Sequence, residues 1–163
     1  EYLLAKKERE EEGRMKNVIG IGLILLHNES LLTVRERESK PQYHKVAGML
    51  SFPLETFEEE DGDFRGTIDR LLHEELGILK EEVEIWGIAP ENFRLIPGRT
   101  DVEIYYGVGI FRGDPARSFH PKGDDVDVVG WKTPAELMAE DPIRIEVVPI
   151  LKDFSKKSRE DFF

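Results

Sequence analysis

Glu75 lies inside an otherwise apolar helical stripe, and that single carboxylate constrains this chain more than any other residue. The segment from Phe64 to Gly77 reads as one helix. At about 100° per residue, Phe64, Ile68, Leu71, Leu72 and Leu76 fall on one broad arc. Glu75 falls within the arc, one turn after Leu71, and Glu74 lies on its edge. A carboxylate facing a core costs several kcal/mol unless a cation or a proton neutralises it. The bland reading of Glu75 is a buried ion pair with a core-facing Arg or Lys. The functional reading is a metal ion.

The flanking pattern predicts a single domain over residues 17–163, preceded by a charged segment over 1–16. The 163 residues suit one domain. Val18 to Leu26 is a continuous apolar run of strand length, as expected of a central strand buried on both faces. His27 to Ser30 is a turn cluster, and Leu31 to Arg35 completes a hairpin. Val46 to Phe52 reads as a short extended piece before Pro53. Glu55 to Asp63 holds six acids in nine residues; Asp61 or Asp63 is placed to cap the helix, and Gly77 to end it. Strands follow at Glu84 to Ile88 and Val126 to Trp131. Phe93 to Ile96 and Val102 to Phe111 read as a hairpin joined through Pro97-Gly98-Arg99. Thr133 and Pro134 open a short helix, and Ile143 to Lys156 reads as a terminal one, with Ile145, Val148, Ile150, Leu151 and Phe154 on its apolar side. Strands on both sides of a central helix predict an α/β fold, a mixed sheet packed between helices.

Composition narrows the function classes. The formal net charge of −11 disfavours nucleic-acid backbones, whose binding needs Lys and Arg to displace counterions. An acidic protein that handles phosphates needs a divalent cation as intermediary. No apolar run approaches the ~20 residues of a spanning helix, so no membrane partner is expected. No secretory signal is visible, and the absence of cysteine removes disulfides and thiolate metal sites. A cytoplasmic location is compatible with all of this.

The stretch from Val46 to Ile78 resembles the Nudix family. Arg70, Leu72, Glu74, Glu75, Gly77 and Ile78 fall on the second half of that family's box, Ser51-Phe52-Pro53 resembles its entry strand, and Trp131, Pro134 and Leu137 resemble its late strand-to-helix step. The resemblance covers about residues 17–155 and implies a Nudix-like α/β/α sandwich. It also implies Mg²⁺-assisted (or Mn²⁺-assisted) attack of water on a phosphoanhydride, in a nucleoside diphosphate linked to another group. The implied partner is a nucleotide-type small molecule, and the family's habit of dimerising makes a homodimer compatible. The chain departs from the box in three places. Leu71 stands where the family has a metal-ligand Glu, Leu54-Glu55 where it has paired glycines, and Gly62 where the box expects Glu.

These residues define the expected site. Glu74, Glu75 and Asp124 are candidate metal ligands. Glu75, Glu74 and Asp125 are candidates for the chemistry, since in related proteins the base can come from a later loop. Arg35 and Glu55 are candidate substrate contacts, while Arg70 and Gly77 have structural roles. The leading reading is a pyrophosphohydrolase. Leu71 motivates the alternative, a catalytically degenerate nucleotide-binding or regulatory module. A purely structural interaction domain would leave Glu75 unexplained.

Overall fold

The computed structural model describes residues 18–41, 44–95, 101–123 and 125–163. Its seven strands form one mixed sheet organised around β1 (Val18–His27). β1 alternates cleanly: Ile24 and Leu26 join the hydrophobic cluster on one face, and Ile21, Leu23 and Leu25 join the cluster on the other. Along one edge β1 runs parallel to β6 (Val102–Phe111), from Val18 opposite Val102 to Leu26 opposite Ile110. β5 (Val83–Ile88) then pairs antiparallel to β6.

The other edge of β1 is shared between two strands. At its end Leu26 and His27 pair with Leu31 and Ser30 of β2 (Ser30–Glu36). Near its start, Gly20, Ile21 and Gly22 pair with Thr56, Glu55 and Leu54 of β4 (Leu54–Thr56). β2 therefore peels away from β1; on the edge that faces β1 it takes β3 (Leu50–Ser51), and on its outer edge it takes β7 (Val126–Lys132). The sheet forks, and a cavity opens at the fork.

Helices cover both faces, as the expected α/β/α arrangement requires. α1 (Phe64–Leu71) presents Ile68 and Leu71 to one cluster. α2 (Pro134–Met138) and α3 (Val147–Phe154) present Leu137, Val147, Ile150 and Leu151 to the other. Asp63, not Asp61, caps α1, accepting from the Gly66 amide at 2.8 Å. Thr133 caps α2 in a reciprocal box with Glu136. No helix among the described residues is long and apolar enough to cross a membrane.

Several local expectations are corrected. Residues 46–49 form a turn, so the extended piece shrinks to Leu50–Ser51, while Leu54–Thr56, read as part of an acidic loop, is a strand. The terminal helix starts at Val147 rather than Ile143. Proline explains this: a start at Ile143 would set the Pro149 ring against the carbonyl of Ile145, whereas a start at Val147 puts it in the tolerated first turn. Ile145 is consequently solvent-facing. Residues 142–144 instead bind β3 edge-on, with the Leu50 amide donating to Pro142 O at 3.0 Å and the Arg144 amide donating to Leu50 O at 3.0 Å. Phe93 bridges Ile104 as a hairpin partner; the connection through Pro97-Gly98-Arg99 lies outside the described residues, as does the segment 1–16.

The central helix does not end as a regular α-helix. From Leu72 to Leu76 it widens into a π-turn, in which the Gly77 and Ile78 amides both donate to Leu72 O. Gly77 closes it in the left-handed conformation at φ 64°. A Cβ at Gly77 would also sit 2.5 Å from the carbonyl oxygen of His120. The loop 113–123 is thereby strapped across the helix end: Lys122 N donates to Glu74 O at 2.7 Å and Arg117 Nη2 to Gly77 O at 3.0 Å. Gly77→Ala should therefore cost about 1–3 kcal/mol, more than a bare left-handed penalty, read as a lowered urea midpoint with an unchanged m-value.

Candidate active site

The fork encloses a cavity of about 300 Å³. Its apolar floor comes from β1, β4 and β6 through Val18, Gly20, Leu54, Val102 and Ile104, and its charged walls come from Glu36, Glu55, Glu75, Asp125, Lys40, Lys45 and Arg144. A smaller cavity of about 80 Å³ adjoins it under the strapped loop, and Glu55, Glu75 and Asp125 line both.

Strand alternation places Glu36. Val34 and Glu36 of β2 face the cavity, so Arg35 between them points to the opposite side and is exposed. Arg35 is thus not brought to the site. Arg37 is turned away too, with Nε on Asp127 Oδ1 at 2.8 Å. Glu55 reaches the cavity because β4 carries it alongside β1. Glu74 and Glu75 diverge as adjacent helical residues do. Each residue of the wide turn advances by less than an α-helical one, which brings Glu75 over Leu71. The Glu74 side chain is 52% exposed, stands 3.9 Å from Arg70 Nη1, and touches only the smaller cavity.

Of the carboxylates that line the main cavity, Glu36, Glu55 and Asp125 each have a cation partner, whereas the exposed Glu58 and the inward-facing Glu75 have none among the described residues. Glu36 Oε1 accepts from Arg144 Nη1 at 3.1 Å and lies 3.7 Å from Lys45 Nζ. Glu55 Oε1 lies 3.3 Å from Arg70 Nη1, and Asp125 Oδ1 lies 3.7 Å from Lys40 Nζ. Glu75 has no ion pair among the described residues, and its Oε2 is sealed from solvent without a hydrogen-bond partner. Burial, then the negative charges of Glu55 and Glu36, push the Glu75 carboxyl up to about 8; Lys45 opposes this only at a distance. The ion-pair reading of Glu75 therefore finds no cation among the described residues.

Arg70 holds the helix to the acidic segment. It grips Asp61 with Nε at 2.8 Å and Nη2 at 3.0 Å, and Nη2 also donates to the carbonyl of Thr56. These bonds hold the Asp61 carboxyl down to about 2. Arg70 thus fixes β4, and with it Glu55, against α1. Leu71, which stands where the resemblance expects a Glu, is completely buried in the core. Asp124 lies outside the described residues.

Three groups escaped the sequence reading. Glu36 was legible in principle, since period two from Val34 marks its face. Lys45 sits in an irregular turn with no periodic signal. Arg144 and Glu146 were absorbed into an expected helix; in the structure Arg144 Nε lies 2.7 Å from Glu146 Oε1, and Glu146 is fully buried.

Among the described residues, no three Asp, Glu or His side chains stand close enough together to hold a metal ion unaided. The donor set nevertheless fits a hard cation that brings its own oxygens. Mg²⁺ characteristically binds through one or two carboxylates and completes its shell with water and substrate phosphates. A carboxylate with an orphaned, sealed oxygen that shares its cavity with Glu55 and Asp125 matches that need.

The titration of Glu75 has a definite sign. Its carboxyl titrates near 4.5 when unfolded and near 8 when folded. Below 4.5 both states hold the proton and nothing is lost. Between 4.5 and 8 only the unfolded state releases it, so stability falls as pH rises, by on the order of a few kcal/mol in all. Chemical denaturation at pH 5, 7 and 9 should show Glu75→Gln overtaking the wild type as pH increases. Added Mg²⁺ should recover the loss at pH 9 in the wild type and not in the variant.

Comparison with known proteins agrees with this architecture. A family model described as NUDIX domain matches residues 16–154. Among solved structures, the NUDIX domain of Shewanella oneidensis NrtR, complexed with ADP ribose, is 15% identical with a TM-score of 0.63, over 86% of this chain and 87% of that one. A NUDIX hydrolase from Nitrosomonas europaea is 16% identical with a TM-score of 0.61, over 85% and 88%. A bifunctional NMN adenylyltransferase/ADP ribose pyrophosphatase from Francisella tularensis is 18% identical with a TM-score of 0.64; it covers 96% of this chain, which spans 46% of that one. Identities this low speak to the fold. Curated proteins offered no match.

Proposed function

Since this chain belongs to the NUDIX domain family, we propose that its cavity binds a nucleoside diphosphate linked to another group and hydrolyses the phosphoanhydride with the help of Mg²⁺ or Mn²⁺. The observation that carries this reading is the unpaired, buried carboxylate of Glu75. A fold has no reason to keep such a group unless something binds there: a Gln or Leu of similar size would remove the cost.

In this reading Glu75 is the principal metal ligand, helped by Glu55 and Asp125. Glu74 serves from the rim of the smaller cavity. Asp124 is a neighbouring candidate by sequence alone. When bound, a divalent ion supplies positive charge to the phosphoryl oxygens and lowers the pKa of coordinated water. The chain's own residues do the rest. Asp125, shared by both cavities, orients the attacking water and takes its proton as the oxygen–phosphorus bond forms. The bridging oxygen leaves with the other phosphate, and the apolar floor excludes competing water. That floor accepts a flat organic group, which fits a nucleoside, and the ADP ribose in the Shewanella NrtR complex supports this substrate class.

One observation favours the alternative, a binding or regulatory module without turnover. Leu71 is embedded in the core, so the family's carboxylate is absent from this helix face. For the same reason Leu71→Glu is no simple route to restored activity, because it would place a charge among Ile68, Leu72 and Leu76.

A panel of ADP ribose, dinucleoside polyphosphates, nucleotide sugars and nucleoside triphosphates, each with Mg²⁺ or Mn²⁺, tests the reading. Turnover is expected on at least one of them. EDTA should abolish it, and Glu75→Gln should lower kcat by about 10²-fold or more at unchanged fold. Wild-type protein that binds a nucleotide without cleaving any of the panel would establish the module instead.

A further inference from the structure

We propose that Lys40 and Lys45 form a two-lysine clamp that grips the phosphate groups of the substrate in the cavity that Glu75 also lines. This deepens the hydrolase reading and rests on it for the identity of the ligand, though the geometry of the clamp stands by itself.

The two lysines are bridge partners. The Lys40 amide donates to Lys45 O at 2.9 Å and the Lys45 amide to Lys40 O at 3.2 Å. Directly opposed residues of an antiparallel pair project to the same face, and like charges placed so are destabilising. Both side chains line the same cavity. Neither ammonium makes a hydrogen bond to a described carboxylate: each stands 3.7 Å from its nearest acid, Asp125 for Lys40 and Glu36 for Lys45. The acid beside Lys45 is already committed, since Arg144 holds the same Glu36 oxygen at 3.1 Å.

Lys45 is also only 17% exposed. A lysine of ordinary purpose extends its head to water. This one is held in, and burial together with the nearby Arg144 guanidinium lowers its pKa. An incoming dianion would satisfy the unused ammonium donors and relieve the repulsion between the pair. Local cations are needed because the chain as a whole, at −11, repels anions. The chemistry fits adjacent phosphates better than a single carboxylate, because two ammonium groups present donors to two separate centres.

Inorganic pyrophosphate in EDTA is the direct probe, since it needs neither metal nor turnover. Calorimetric titration of the full chain should show binding that weakens about tenfold in Lys45→Gln and in Lys40→Gln, and much less in Lys45→Arg. Lys80→Gln, which removes the same charge from an exposed turn, should leave the affinity unaltered. Circular dichroism checks the fold; if Lys45→Gln does not fold, Lys40→Gln and Lys45→Arg carry the comparison. Equal affinity in wild type and lysine variants, or no pyrophosphate binding at all, overturns the clamp. With a cleavable substrate, the lysine variants should raise KM by about the same factor with kcat little changed. Pyrophosphate binding that depends on the lysines, without turnover on any substrate, keeps the clamp and removes the hydrolase. Turnover whose KM ignores the lysines keeps the hydrolase and removes the clamp.

Discussion

A strand edge can satisfy only one neighbour at each position, and β1 gives its outer edge to two. β2 takes the end near His27, and β4 takes the start near Gly20. The backbone groups of β1 are satisfied either way, so the fork costs little hydrogen bonding. It does leave a gap between diverging strands. The side chains that alternation points into that gap, Glu36 from β2 and Glu55 from β4, become cavity walls. The helix beneath adds Glu75, and the 142–144 segment that binds β3 edge-on adds Arg144.

Charge in that gap is nearly balanced. Arg144 and Lys45 answer Glu36, Arg70 answers Glu55, and Lys40 answers Asp125. Arg70 has a second task, because its bonds to Asp61 and Thr56 tie the acidic segment to α1. The Nudix-box resemblance implies a supporting role for that arginine, and these bonds are compatible with it. Glu75, sealed and without a cation among the described residues, stands apart from these pairs. Its protonation or its occupation by a cation changes the charge of the cavity, which couples stability to ligand binding through one group.

The elements that were legible in the sequence were those whose signal is local. The apolar run of β1, the capped and glycine-terminated central helix, and the Thr133-Pro134 helix start each follow from a few adjacent side chains. The burial of Glu75 was legible too, because 3.6-residue periodicity projects it onto the core face. The misses share a different cause. Leu54–Thr56 is a strand only because β1 offers it an edge, and its acidic residues conceal that. Residues 142–144 bind β3 although their composition suits a helix, and Pro149 is the local clue that the helix begins later. The π-turn had no sequence mark, yet it brings Glu75 over Leu71 and closes the helix on Leu72 O.

By itself the sequence determined the α/β class, the family, and the presence of a carboxylate where a core should be, because periodicity and capping act over a few residues at a time. Tertiary structure alone decided what that carboxylate faces. Glu36 and Lys45 come from β2 and the connection that follows it, Arg144 from far downstream, and only the fork in the sheet brings them to the cavity that Glu75 lines. The reason is physical: an electrostatic environment is a property of positions in space, set by which edges pair and which turns widen, and spacing along the chain does not encode it.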